Sequence, residues 1–347
     1  MTKQRVLVTG ATGFVGSHMV DYILKNHSGE YDIAITKRWH LSPVDNIRHF
    51  CDKVLIYDCD LTDPHSTLCL IDTFRPDYIF HFAAESFVSP SWLNPSRYQS
   101  VNVQGTINLL EAIIRYCPEC SIHIPGSGEE YGDISEDQLP ITPGTNINPV
   151  NPYAVSKVGQ DLIAKVYHDS YGLRVVRTRT FNHEGPRRLN VFGLPWYAYQ
   201  IALIENSLKE NVVETGKRSD LRNFTHIDDI IRAYWLAMHN CISGKLYLVG
   251  SVDEQSTATF DQCLRRMLAL SPIGSNISVV ENVKYIRPTA VPNLTYQDND
   301  FLEVTSWTPQ RTLDDIIEDT LNYWRKNYST RSIPPTSSSI IRNVSCL

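Results

Sequence analysis

The sequence predicts an α/β protein: a doubly wound parallel sheet followed by a smaller C-terminal domain. Three features point to it. Short apolar runs alternate with amphipathic helical patterns through the first half of the chain, the βαβ rhythm of a parallel sheet covered on both faces. A glycine-rich turn joins the first strand to the first helix. Beyond Thr180 the rhythm loosens, and loops interleave with helices.

Residues 5–9 read as the first strand and 17–26 as the first helix, with Met19, Val20, Ile23 and Leu24 on one face. Strands follow at 32–36, 53–57, 77–82 and 121–125, with a long helix over 96–116 before the last of them. Residues 140–152 are rich in Pro, Asn and Thr and read as a loop. A helix at 153–171 and a strand at 174–180 complete a first domain, residues 1–180, to which segments around 220–245 are expected to return. Residues 181–330 are mainly a second, substrate-binding domain, with helices at 196–210, 227–239, 259–270 and 314–326. The tail 331–347 (RSIPPTSSS onward) is Ser/Pro-rich and expected to be disordered.

Composition narrows the function classes. With 347 residues, 42% hydrophobic and 20% charged, the chain is an ordinary globular protein too long for one core. A net charge of −6 without a basic stripe argues against a nucleic-acid partner. No run approaches the roughly 18 apolar residues of a membrane helix. The N-terminal MTKQRVLVTG runs directly into a strand with no export signal, so a cytoplasmic protein with reduced cysteines is expected. Cys117-Pro118-Glu119-Cys120 lacks the second pair of donors that zinc requires, and no metal is expected.

The first strand leads into Gly10-Ala11-Thr12-Gly13-Phe14-Val15-Gly16 and then a helix. Glycines there permit a tight turn and close approach to a pyrophosphate, and the helix N-terminus offers N–H groups and partial positive charge to the anion. This is a dinucleotide-binding Rossmann start, with Gly10, Thr12, Gly13, Phe14, Val15 and Gly16 as the phosphate cradle. The second strand ends in Lys37-Arg38-Trp39 rather than an acid, which suits a 2′-phosphate and predicts NADP over NAD. Asp60 and Leu61, after the third strand, are placed beside the adenine.

Tyr153 and Lys157 stand one turn apart on one helix face. A tyrosine with an ordinary pKa near 10 is a poor base at neutral pH, but an adjacent ammonium and a positive nicotinamide favour its phenolate. It could then exchange a proton with a substrate hydroxyl.

The strings TGATGFVGSH, DCDLTD, HFAAESFV, VNVQGT, GSGEEYG, NPYAVSK, RTFNHEGPRR, RNFTHIDDIIRAYW and RPTAVPNL make the chain resemble the extended short-chain dehydrogenase/reductase family over nearly its whole length. Within it, the sequence is most similar to the GDP-mannose 4,6-dehydratases and the neighbouring GDP-4-keto-6-deoxymannose reductases. The resemblance places Phe82, Ala83 and Ala84 with the cofactor and Ser86 near the sugar. It implies that Ser127 orients the sugar 4-hydroxyl and that Glu129 acts at C5, with Tyr153 and Lys157 as the redox pair. Gly128, between them, departs from the dehydratase pattern. Asn182 is implied at the nicotinamide or substrate, and Arg222 and Arg287 at the nucleotide diphosphate, a task that suits a guanidinium fork; the adjacent Arg187 and Arg188 could sit on a substrate or cofactor phosphate. His183 and His226 are read as structural. The resemblance also implies a homodimer, and whether two dimers associate into a tetramer is left open.

Three functions follow from different classes. A GDP-sugar 4,6-dehydratase would oxidise C4 transiently, lose water across C5–C6 and return the hydride to C6. An NADPH-dependent reductase or epimerase of a 4-keto sugar would stop short of water loss. A catalytically silent binding protein is disfavoured by the presence of Ser127, Tyr153 and Lys157 together.

Overall fold

The computed structural model describes residues 3–289 and 291–329, so the Ser/Pro-rich tail lies outside the described residues. Seven parallel strands form the central sheet: β1 (Gln4–Thr9), β2 (Tyr31–Lys37), β3 (Leu55–Asp58), β4 (Tyr78–His81), β5 (Ser121–Ser127), β6 (Arg174–Thr180) and β7 (Leu246–Val249). Their order is β7-β6-β5-β4-β1-β2-β3. Chain direction around the sheet reverses between β1 and β4, which opens a crevice beyond the C-terminal ends of those two strands.

Both faces of the sheet are buried, as the near-continuous apolar runs require. Alternate residues feed two cores. Val6, Val8, Ile35 and Phe80 pack against α1 (Phe14–Asn26) on one face, while Leu7, Ala34, Ile79 and Ile122 pack on the other. The second face is covered by α2 (Pro64–Phe74), α3 (Gly105–Tyr116) and α4 (Pro152–Tyr171). The chain then forms α5 (Gly193–Glu205), α6 (Ile227–Asn240), α7 (Phe260–Ala269) and α8 (Leu313–Asn327). Helix α6 covers the first face with Ile230, Ile231 and Trp235, and α5, α7 and α8 enclose a third core around Ile201, Met267 and Trp324.

Several boundaries differ from the sequence reading. The third strand starts at Leu55, where its register with Ala34 begins. The 96–116 helix is three pieces: Pro95–Tyr98, a π-helical segment Gln99–Gln104, and α3. Such π segments often mark functional sites, and here Asn102 lies in it and bonds to both Glu85 and Ser156. Helix α5 stops at Glu205 because Ser207 turns left-handed, at φ +57°. Strand β7, beyond the 220–245 segment, was not anticipated; it pairs with β6 at the sheet edge.

Helix α4 follows from local sequence. The Asn151 side chain accepts the Ala154 N–H, and Pro152 occupies the first turn, where its missing N–H costs nothing. A cap of this kind contributes about 1 kcal/mol.

Candidate active site

The crevice is a cleft of about 930 Å³. Every residue singled out from sequence lines it except Arg222. Gly10 sits at φ +69°, and a Cβ there would lie 2.6 Å from the Phe82 and Ala83 backbone, so no other residue fits. No side chain caps α1 and no acid stands in its first turn, so the helix end presents its N–H groups and partial positive charge to the cleft. Phe82, Ala83 and Ala84 form the opposite lip, and the Thr9 hydroxyl accepts the Ala83 N–H at 3.2 Å.

The adenine-ribose end departs from the two-cation expectation. Lys37 forms an ion pair with Asp58 and lies 5.6 Å from the centre of the Trp39 ring. Arg38 lines the cleft and has no ion pair among the described residues. Asp60 accepts the Thr62 N–H and hydroxyl at 3.0 and 2.8 Å, closing a local turn, and Leu61 is buried beside it.

At the candidate reaction centre, Tyr153 and Ser127 both line the cleft. Burial pushes the Tyr153 phenol up to about 12; Ser127 and the Arg188 charge pull it down, and Glu129 and Glu130 add to the rise. In the chain alone, then, desolvation outweighs the phenolate stabilisation expected from the Tyr–Lys spacing. Lys157 is buried and donates to the Pro125 carbonyl at 2.6 Å and to Gln160. Burial lowers it to about 8, against the opposing pull of Glu130 and Asp161. Gln160 in turn donates to Thr106, whose hydroxyl meets His81, and His81 meets Thr9. This buried chain of polar groups ties the lysine to the strand that carries the glycine turn.

Glu129 faces the same space. Its carboxylate accepts from Asn151 Nδ2 at 3.1 Å and pairs with Arg287 at 3.5 Å. Gly128 is buried beneath aromatic side chains: a Cβ there would lie 3.0 Å from Phe181 and 3.3 Å from Leu294. Phe181 is itself stacked on Tyr296 at 4.1 Å, so the floor under residue 128 cannot readily give way. Glu130, the residue after Glu129, does not line the cleft. It is fully buried, pairs with Arg179 at 2.7 Å and accepts the Ser127 N–H at 2.7 Å. Asp161 then links Arg179 to Arg177, giving a four-residue buried ion network under the catalytic strand.

On the sugar-facing wall, Asn182 and the exposed Ser86 both line the cleft. Arg187, expected on a phosphate, is engaged with Ser17 at 3.2 Å and Asp21 at 2.6 Å on α1. Its neighbour Arg188 pairs with Glu184 and lies 4.0 Å from the Phe192 ring centre and 5.3 Å from that of Phe14. Arg222 is buried, with its charge felt by Glu129 and Arg287 close behind the wall. His183 donates from Nδ1 to the Phe181 carbonyl at 3.0 Å and stacks on Phe14. His226 caps α6 by accepting the Asp228 N–H at 3.1 Å, a structural role as read. Asn151 and Phe181 are the site residues that sequence reasoning missed. Asn151 had a visible signal, being the cap residue two before Tyr153.

Among the described residues no group of three metal-ligating side chains exists, and no helix is long and apolar enough to cross a membrane. The sequence matches the family described as GDP-mannose 4,6 dehydratase over residues 7–320. A GDP-6-deoxy-D-mannose reductase of Pseudomonas aeruginosa is 28% identical over 321 residues, spanning 92% of this chain and 97% of that protein. The structure of RMD from Pseudomonas aeruginosa complexed with NADPH superposes with a TM-score of 0.78 at 26% identity, covering 94% of this chain and 100% of that one. DesIV of Streptomyces venezuelae, a dTDP-glucose 4,6-dehydratase with NAD bound, gives 0.81 at 25% identity, covering 94% and 98%.

Proposed function

The chain belongs to the GDP-mannose 4,6-dehydratase family of extended short-chain dehydrogenases/reductases, and we propose that within this group of nucleotide-sugar enzymes it is itself a 4,6-dehydratase, acting on GDP-mannose or a related GDP-sugar. The observation that carries this reading is Glu129, a carboxylate in the cleft wall held by Asn151 and Arg287 beside the Ser127–Tyr153 pair. Simple reduction or epimerisation at C4 needs only Ser, Tyr and Lys. A base at C5 is needed where water is lost.

The uncapped α1 terminus and the close Gly10–Phe82 approach suit a dinucleotide pyrophosphate, and Arg38 supports NADP over NAD. When bound, that cofactor supplies a hydride acceptor that can later hand the hydride back. In this reading Ser127 holds the sugar 4-hydroxyl and Tyr153 takes its proton. Lys157, as the ammonium, favours the phenolate. Once C4 is a ketone the C5 hydrogen is acidic; Glu129 removes it as a proton and passes a proton to the C6 hydroxyl, which leaves as water. Residues 1–180 would hold the dinucleotide and 181–330 mainly the sugar nucleotide, with Asn182, Ser86, Arg222 and Arg287 on the latter. Val155, Leu162 and Val166 lie exposed along one face of α4, which supports a homodimer through that helix. A cytoplasmic location accords with the unpaired thiols.

One observation favours a second reading. Gly128 offers no acid for a departing hydroxyl, and Phe181 leaves little room for one, which suits an NADPH-dependent reductase of a 4-keto GDP-sugar. The deciding experiment incubates the protein with GDP-mannose and a trace of NADP but no reductant, and weighs the product. Loss of one water supports the dehydratase. An unchanged sugar, with NADPH consumed on a 4-keto GDP-sugar, establishes the reductase instead.

A further inference from the structure

We infer that Cys117 and Cys120 form a thiol–disulfide site, oxidised by a low-molecular-weight disulfide of the glutathione type. Cys117 caps the C-terminus of α3, and the peptide folds back so that the Cys120 N–H donates to the Cys117 carbonyl at 2.8 Å. A turn closed in this way keeps its first and last Cα within about 7 Å, and a disulfide spans Cα separations of roughly 4.4–6.8 Å. The Cys120 thiol donates to the Ser121 carbonyl at 3.5 Å and lies near enough to Cys117 to lower that thiol.

The two thiols differ in a useful way. Cys117 is half-buried and can meet a small disulfide, whereas Cys120 is 2% exposed and can be reached only from Cys117. The contact with Cys120, together with the charges of Arg75 and Arg5, holds the Cys117 thiol below its ordinary range and favours the attacking thiolate. Cys59, Cys241 and Cys263 are shifted the other way by burial. Among the described residues no third metal-ligating side chain stands beside the pair. The site precedes β5, at the N-terminal end of the strands and so opposite the cleft, and is independent of the catalytic reading.

The step balances without help from the cofactor. Cys117 thiolate attacks one sulfur of the oxidised glutathione and expels one glutathione thiolate. Cys120 then loses its proton, attacks the Cys117 sulfur of the mixed disulfide and expels the second. Two protein thiols are oxidised and one disulfide is reduced to two thiols.

The full-length protein is incubated in oxidised and reduced glutathione mixtures, quenched and weighed intact, then digested with trypsin without reduction. Residues 116–157 form one tryptic peptide containing these two cysteines and no other. The inference predicts that this peptide loses two hydrogens, and that Cys120→Ser stops at a glutathione adduct on Cys117. It is overturned if the peptide stays reduced while adducts collect on the exposed Cys51 and Cys69. It is equally overturned if Cys117→Ser collects a glutathione adduct on Cys120 as fast as the wild-type peptide is oxidised, since Cys120 would then be the entry thiol. The wild-type readout stands even if a variant folds poorly.

Discussion

The two ends of the cleft are built on different principles. The cofactor end is made by backbone: a glycine turn pressed against Phe82, and a helix terminus without a cap. The sugar end is made by side chains from distant segments, with Glu129 held by Asn151 and Arg287, Arg222 behind them, and Phe181 on Tyr296 underneath. A backbone cradle tolerates almost no variation, because a single Cβ at Gly10 collides with main chain. A wall of side chains can be refitted one residue at a time, so one framework can serve several sugar chemistries.

That contrast predicts separable losses. The largest is expected at Tyr153→Phe, which removes the acid–base group and should lower kcat by about 10³-fold. Cofactor affinity, followed by fluorescence titration, should stay within about threefold; loss of both together would mean that the two ends are not separable. Glu129→Gln should slow water loss by about 10²-fold while C4 oxidation still proceeds, seen as reduced cofactor accumulating on the enzyme. If Glu129→Gln forms product at the wild-type rate, the dehydratase reading fails.

Gly10→Ala addresses the other end. A non-glycine residue held left-handed costs about 1–3 kcal/mol, so cofactor affinity should fall by about tenfold or more while the sugar-facing wall keeps its geometry. The pH profile comes next in size. Burial holds Lys157 at about 8 instead of 10.5, so the ammonium is lost as pH rises past 8 and the rate should decline there. The unfolded chain keeps that proton up to 10.5, so between the two values the folded state binds fewer protons and this group's contribution to stability rises with pH. Lys157→Met should remove the alkaline limb of the rate profile and flatten the stability curve over that window, readable by denaturant titration at several pH values. The smallest effect separates two neighbouring cations. Arg38→Ala should reduce the preference for NADP over NAD by about fivefold, whereas Lys37→Ala should change it less, because Lys37 is already engaged by Asp58.

Much of the sheet was legible from sequence because its signals are local. Short apolar runs located β1, β2, β4, β5 and β6 to within a few residues, and the pattern over 153–171 gave α4. The features that were missed depend on contacts between distant segments. Strand β7 is a short apolar run whose identity rests on pairing with β6, and the π segment at Gln99–Gln104 is set by what Asn102 must reach. Glu129 and Glu130 are adjacent and chemically alike, yet one faces the cleft and the other is buried against Arg179.

By itself, then, the sequence determined the glycine turn and the Tyr153–Lys157 face, since strand–turn–helix geometry and four-residue helical spacing act within a few residues. Only the tertiary structure decided which charges are committed elsewhere: Lys37 to Asp58, Arg187 to Asp21, Glu130 to Arg179. It also decided that Gly128 lies against Phe181, and that burial lifts the Tyr153 phenol to about 12 in the chain alone. Ion pairing, desolvation and excluded volume are properties of what comes near in space, and for these residues the neighbours come from segments far apart in the chain.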